Sequence, residues 1–239
     1  MEIGRISVIP EPGIYLNTPE PEYRAWNASN QSRIKLLDRD HLDTHGVAAK
    51  AQWELTNQGY PGASMEVGSA LHVRVFRPHE WNDRVDLSPT KTHAEGWKRC
   101  KDERPHVHFL NQEEMDAVRW MADNVMADPT VKDTILVEGD ALRQEVAVVA
   151  DLHGYYPTTE PYGLLGGTEF TVRCKGLLDW LLTRLPWYYD LKSTDDASDE
   201  GFRRSVTRYG YGFQIAFYEE LLVALHFPVK RSLFVIVEN

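Results

Sequence analysis

The sequence predicts a mixed α/β fold, a central sheet with helices on both faces, and three observations carry that prediction. Strand-like apolar segments cluster between Gln144 and Lys192, helical periodicity recurs on either side of them, and at 239 residues the chain can bury one sizeable core. A single domain spanning residues 1–239 is expected. With 42% hydrophobic and 26% charged residues the composition is that of an ordinary globular protein, without low-complexity tract or internal repeat.

Taken in order, Gly13–Leu16 is a short extended piece, and Glu20, Pro21 and Glu22 mark a turn. Asn27–Leu37 reads as the first helix, capped by Asn27 or Ser29, with Ile34, Leu36 and Leu37 apolar. Ser64–Phe76 is the next: Met65, Ala70, Leu71, Val73 and Phe76 are apolar, small Gly68, Ser69 and Ala70 allow close approach to a sheet, and Pro78 stops it. His72 stands among them, either as a hydrogen-bonded core residue or as a ligand. The polar stretch His79–Leu110, broken by Pro89 and Pro105, reads as a surface loop. Its His93, Cys100, His106 and His108 match no ordinary structural zinc spacing.

Asn111–Ala127 is an amphipathic helix, with Asn111 as cap, Glu113 and Glu114 in the first turn, and Met115, Val118, Met121, Ala122 and Val125 on the buried stripe. Thr134–Val137 and Gln144–Leu152 read as strands. In the second, Val146, Val148 and Ala150 alternate with Ala147 and Val149, so both faces are apolar, as in a fully buried strand. Glu145 at its start is either a solvated strand end or a ligand. Tyr155–Gly167, with its prolines and glycines, is a long connection. Near the C-terminus the acidic run Asp195, Asp196, Asp199, Glu200 caps a helix or loop. A mainly helical stretch over Phe202–Leu225, interrupted near Gly210 and Gly212, places Gln214 and Tyr218 on one face. Ser232–Glu238 is a final strand.

Between these lies Val172–Lys192, two apolar β-rich segments joined around Arg184, Leu185 and Pro186, which reads as a hairpin of buried strands. Each strand carries one carboxylate, Asp179 and Asp190, and Lys192 shares a face with Asp190. A buried acid without a partner is costly. Either a divalent cation sits between the two carboxylates, or they are structural acids paired with Arg173, Lys175 or Lys192.

Gly176–Asp179 followed by Asp190-Leu191-Lys192-Ser193-Thr194 resembles the G-x-x-D…D-x-K-(T/S)-(T/S) core of the PD-(D/E)XK nucleases. Gln214–Tyr218 is similar to the Q-x-x-x-Y helix of their RecB-like branch, and Gly68–His72 resembles its G-x-x-x-H helix. Within that branch Gly13-Ile14-Tyr15, the segment Gly68–Pro78 and Gln144-Glu145-Val146 look most like the RecE-type exonucleases (exonuclease VIII). The resemblance covers nearly the whole chain.

What it implies is a PD-(D/E)XK core using Mg²⁺ or Mn²⁺ to digest the ends of linear double-stranded DNA 5′ to 3′. The products would be 5′-mononucleotides and a 3′ single strand for an annealing protein of the RecT kind. Asp179 and Asp190 would hold the metal with the carbonyl of Leu191, assisted by His72 and Glu145. Lys192 would act on the attacking water, and Gln214 and Tyr218 would face the site. Ser193, Thr194, Arg173 and Lys175, beside the acids, are candidate DNA contacts. RecE and lambda-type exonucleases enclose DNA as rings, so a cyclic homo-oligomer, a tetramer, is expected. The resembled domains continue past the strand matched by Leu233–Glu238, so an interface made by that continuation is expected to be missing.

The net charge of −10 argues against a basic nucleic-acid binder in bulk. Arg203, Arg204 and Arg208, in a stretch with no acid between Gly201 and Phe217, form a local basic strip that would grip phosphates. No apolar run approaches membrane-spanning length, the N-terminus lacks an apolar signal segment, and two cysteines are too few for a disulfide framework, which together fit a cytoplasm. Two cysteines also exclude the four-cysteine iron-sulfur cluster of the CRISPR adaptation nucleases. The rivals are a RecB-like nuclease of other polarity or single-strand preference, and a DNA-binding or assembly module without catalysis.

Overall fold

The computed structural model describes residues 10–31, 59–159 and 165–239. In chain order its elements are β1 (Gly13–Tyr15), α1 (Glu20–Ala25), α2 (Ala63–Phe76), α3 (Trp81–Arg84), β2 (Val85–Leu87), α4 (Glu95–Glu103), β3 (His108–Leu110), α5 (Gln112–Ala127) and α6 (Pro129–Thr134). There follow β4 (Leu142–Thr159), β5 (Leu165–Leu182), β6 (Trp187–Thr194), α7 (Asp199–Tyr209), α8 (Tyr211–Ala224) and β7 (Arg231–Glu238). The fold is a mixed α/β one, as expected. Its five-stranded sheet runs in the order β1-β4-β5-β6-β7.

The strand directions follow from the connections and hydrogen bonds. β1 lies antiparallel to β4, with Gly13 opposite Val149. β5 turns through residues 183–186 into β6, the hairpin that the apolar runs around Pro186 predict. The amide of Lys230 donates to the Pro186 carbonyl (2.7 Å) and that of Asn239 to the Thr194 carbonyl (2.9 Å), so β7 starts beside the start of β6 and ends beside its end. The two strands are therefore parallel, and α7 and α8 supply the crossover that a parallel pair requires.

The described residues form two compact units. The first contains 10–31, Arg143–Tyr188 and Gly210–Ser232. Here β4 is buried on both faces: Val146, Val148 and Ala150 pack with Cys174, Leu178 and Leu181 of β5 and with Phe217, Tyr218, Leu221 and Leu222 of α8. On the other side Ala147 and Val149 meet Trp26, whose indole stands edge-on to Tyr15 (5.2 Å) and Tyr23 (5.7 Å). Ser29 is held against β5 by a bridge to Cys174, its amide donating to the Arg173 carbonyl and its carbonyl accepting from the Lys175 amide. Residues 27–30 are non-helical and the helical state begins at Gln31, next to the expected caps; residues 32–37 of that expected helix lie outside the described residues. Glu20–Glu22, read as a turn, instead open α1, with Pro21 in its first turn where its missing N–H costs nothing.

The second unit contains residues 59 to Leu142, Tyr189–Tyr209 and Leu233–Asn239. The stripe on α5 packs as its periodicity demands, with Met115, Val118, Met121, Ala122 and Val125 all buried, and Asn111 and Glu114 close a reciprocal capping box. His79–Leu110 is not a loop. It folds into a 3₁₀ turn, α3, β2, α4 and β3, with β2 and β3 paired in parallel and Trp97 and Phe109 fully buried. The expected strand Thr134–Val137 is the end of α6 and the start of a 3₁₀ segment, because Asp128 caps α6 and Pro129 opens it. Tyr155–Thr159 and Leu165–Gly167 extend β4 and β5 rather than forming a loop. No helix among the described residues is long and apolar enough to cross a membrane.

What fastens α2 in this unit is an ionic hub. Glu66, 2% exposed, accepts from the Lys101 ammonium of α4 (3.0 Å) and from the Phe109 amide of β3 (3.0 Å), with His108 Nδ1 at 3.7 Å. Lys101 also donates to the Val107 carbonyl at 2.8 Å, so its charge is solvated by the protein. Burial pushes the Glu66 carboxyl up, but the neighbouring His108 and the Lys101 ammonium outweigh it and hold the group below the usual carboxylate range. A depressed folded value means that this stability is present above the unfolded carboxyl pKa of about 4.3 and is lost as pH falls through the lower folded one. Thermal melts should therefore show a loss of stability at acid pH that Glu66→Leu lacks. At neutral pH Glu66→Leu leaves a buried ammonium unpaired and should lose about 3–5 kcal/mol, much of it recovered in the Glu66→Leu, Lys101→Met pair.

Candidate active site

Two glycines position the motif residues. Gly176 opens the G-x-x-D segment of β5, and a Cβ there would meet the Tyr218 ring at 2.9 Å and Leu221 at 3.0 Å. Only a residue without a side chain lets α8 lie this close to β5. The same approach presents Gln214 and Tyr218 as a pair, the Gln214 amide donating to the Tyr218 hydroxyl at 3.3 Å. Gly210, in the left-handed conformation (φ 66°), ends α7 and starts α8, the interruption that the sequence places there.

Gly68 does the corresponding work in the second unit. A Cβ at this position would stand 3.8 Å from Ser193 Oγ, so the G-x-x-x-H helix α2 runs close over the Asp190-Leu191-Lys192-Ser193 segment of β6. His72, one turn further on, is half-buried with its ring 5.5 Å from that of Phe76. Thr194 is buried, its hydroxyl 3.3 Å from that of Ser205 on α7.

The two hairpin carboxylates are interior groups: Asp179 is 4% exposed and Asp190 2%. Asp190 is ion-paired with Lys192, as residues two apart on one strand face can be, and Lys192 keeps 14% of its side chain exposed. The ammonium offsets the cost of burying Asp190 and stands where it can act on a group bound to that carboxylate. Glu145 has φ 44°, a left-handed conformation inside β4 that costs a non-glycine residue about 1–2 kcal/mol.

Other expected site residues have different roles. Lys175 is interior, its ammonium donating to the carbonyls of Tyr23 (2.6 Å) and Trp26 (2.8 Å), a clamp between α1 and β5. Arg173 grips Asp151 through two hydrogen bonds, one of 2.9 Å, and the Pro10 carbonyl at 2.5 Å; the Asp151 carboxyl is held below its usual range by those bonds. On α7, Arg204 pairs with Asp196 (3.0 Å) and Glu200 (3.5 Å), and Arg203 with Glu200 (3.6 Å), all exposed pairs worth at most about 1 kcal/mol each. Arg208 lies over the Tyr209 ring at 5.4 Å.

Among the described residues no group of three or more His, Cys, Asp or Glu side chains could hold a metal ion. The donor chemistry that is present, buried carboxylates followed by the Leu191 carbonyl, suits a hard divalent cation.

A family model described as a PDDEXK-like domain of unknown function (DUF3799) matches residues 32–237. The chain belongs to this family. Its PDDEXK-like character is that of a nuclease-type phosphodiester hydrolase, a class that typically works with divalent metals, and it agrees with the mixed sheet and with the order of the motif strands. No curated protein matches the chain.

What the sequence does not reveal in this PDDEXK-like domain is the hub on Glu66. The available signal is its place on the buried stripe of α2, four residues before Ala70 and seven before Val73. Packing of α8 on Gly176 carries a direct test. Gly176→Ala should cost about 1–3 kcal/mol by overpacking against Tyr218, measured by urea unfolding, and Tyr218→Leu in the same chain should restore part of the loss.

Proposed function

We propose that the chain is a divalent-metal-dependent DNA exonuclease, one domain over residues 1–239, digesting linear double-stranded DNA 5′ to 3′ to release 5′-mononucleotides. The observation that carries the reading is the pair of buried carboxylates on consecutive motif strands, with the Lys192 ammonium on Asp190, in a PDDEXK-like chain. Substrate end, polarity and RecE-type specificity come from the likeness of Gly13–Tyr15, Gly68–Pro78 and Gln144–Val146 to those exonucleases.

In this reading Asp179, Asp190 and the Leu191 carbonyl hold Mg²⁺ or Mn²⁺, with His72 and Glu145 assisting. The bound ion would supply Lewis acidity toward the scissile phosphate and a water of lowered pKa. Lys192 holds its proton at Nζ beside the Asp190 carboxylate, where it orients the attacking water and offsets the negative charge that builds on the phosphorane. Gln214 positions that water and the phosphate through its amide, fixed in place by the Tyr218 hydroxyl. Tyr218, Ser193 and Thr194 meet the DNA backbone, and Arg208, with Arg203 and Arg204 once their exposed pairs open, adds phosphate contacts. The 3′ single strand left behind is the substrate of an annealing protein of the RecT kind. Enclosure of the duplex by a ring of subunits, a tetramer, would let an acidic protein stay on its substrate without relying on bulk charge.

Asp179→Ala, Asp190→Ala and Lys192→Ala should each abolish Mg²⁺-dependent digestion of an end-labelled linear duplex while leaving the circular dichroism spectrum unchanged. Wild-type rates in Lys192→Ala would refute the assignment. Ca²⁺ in place of Mg²⁺ should support DNA binding without hydrolysis, since its looser geometry and larger coordination number do not fit the reacting phosphate. A duplex labelled at the 5′ end should release labelled mononucleotide before one labelled at the 3′ end. Light scattering should give the mass of a tetramer; a monomer that still digests processively would remove the ring.

A further inference from the structure

α8 carries the Gln214–Tyr218 pair, yet its apolar pattern does not fix how the helix is turned about its own axis. Phe213, Ile215, Phe217, Leu221, Leu222 and Val223 put apolar side chains on every side of it. Phe217, Leu221 and Leu222 are buried, while Val223 and Ala216 are exposed. A turned helix would exchange one apolar contact for another, so burial alone accepts more than one rotation. The rotation matters because Gln214 and Tyr218 share one face. Displacing by about 1 Å a group that orients a reacting water can cost on the order of 100-fold in rate.

Tyr188, near the start of β6 and fully buried, supplies the restraint that apolar packing does not. Its hydroxyl donates to the Ile215 carbonyl of α8 at 3.4 Å, and its ring stands edge-on to that of Tyr218 with centroids 6.2 Å apart. The hydrogen bond is long, but it is directional and falls on the backbone of the residue next to Gln214. A phenylalanine would fill nearly the same volume without burying a hydroxyl, so packing alone does not call for tyrosine here. One side chain thus touches α8 twice, on the backbone between Gln214 and Tyr218 and on the Tyr218 ring, and two points of contact resist rotation. Gly176 governs a different quantity, how closely the helix approaches β5.

We propose that Tyr188 is a positioning residue whose hydroxyl sets the rotation of α8 and so holds the Gln214–Tyr218 pair in its reactive orientation. This rests on the nuclease reading above, in which Gln214 positions the attacking water, and adds to it the residue that aims Gln214. The test uses the full chain, an end-labelled linear duplex over a range of concentrations up to saturation in Mg²⁺, and the variants Tyr188→Phe, Tyr218→Phe and the two combined, each with a thermal melt. Tyr188→Phe keeps the ring and removes only the hydroxyl. It should lower kcat about tenfold, inside the range expected of a misaimed group, with KM close to that of the wild type. Tyr218→Phe removes the hydroxyl that accepts from Gln214 and should lower kcat too. Because both changes act on one pair, the combined variant should be no slower than the slower single one. Wild-type kcat in either single variant, whatever its melting temperature, overturns this proposal alone. So do losses that multiply in the combined variant, since they mark two independent contributions and leave Tyr188 a packing residue. A wild-type chain that does not cleave the duplex overturns the nuclease reading as well.

Discussion

Keeping ionised side chains out of water is the constraint on which most of this structure depends. Glu66, Lys101, Lys175, Asp179 and Asp190 are all buried, and an isolated charge in the interior would sooner lose its proton balance than stay. Each solution is local and different. Lys175 is solvated by backbone carbonyls of α1 and the residue after it, Glu66 and Lys101 neutralise one another, and Asp190 draws its counter-charge from the next residue on its own strand face. These pairings tie α1 to β5, and α2 to α4 and β3, so the ionic network also decides where the motif elements lie.

The glycines complete that placement. At Gly176 and Gly68 the backbone of a strand or helix is bare where a motif element comes close, so the spacing of G-x-x-D and G-x-x-x-H encodes a packing distance as well as a set of ligands. That double duty explains why the hairpin, α8 and the break at Gly210 were legible in the sequence. Their apolar periods and their turn residues point to one answer. The stripe and capping box of α5 are legible for the same reason.

Some of the misreadings lie where a long-range contact overrides the local pattern. His79–Leu110 is polar residue by residue, yet Trp97 and Phe109 bury fully and Lys101 follows them inward because Glu66 waits across a gap of 35 residues. Arg173 and Lys175 look like a basic flank to the acids because their partners, Asp151, Pro10, Tyr23 and Trp26, are distant in sequence. The basic strip on α7 reads as free of acid only when the helix is cut at Gly201, since Asp196 and Glu200 lie within one or two turns of Arg203 and Arg204.

The bridge between Ser29 and β5 also governs the chain's sulfur chemistry. Cys174, opposite Ser29, is fully buried, and burial, with the Asp151 carboxylate adding to it, pushes its thiol up to about 11. At neutral pH almost none of it is thiolate, the form that attacks oxidants, disulfides and alkylating reagents. Cys100 on α4, half-buried, is the remaining cysteine. Of the two cysteines, Cys174 is therefore the one shielded from redox reagents, and Cys100 the one left partly accessible to them.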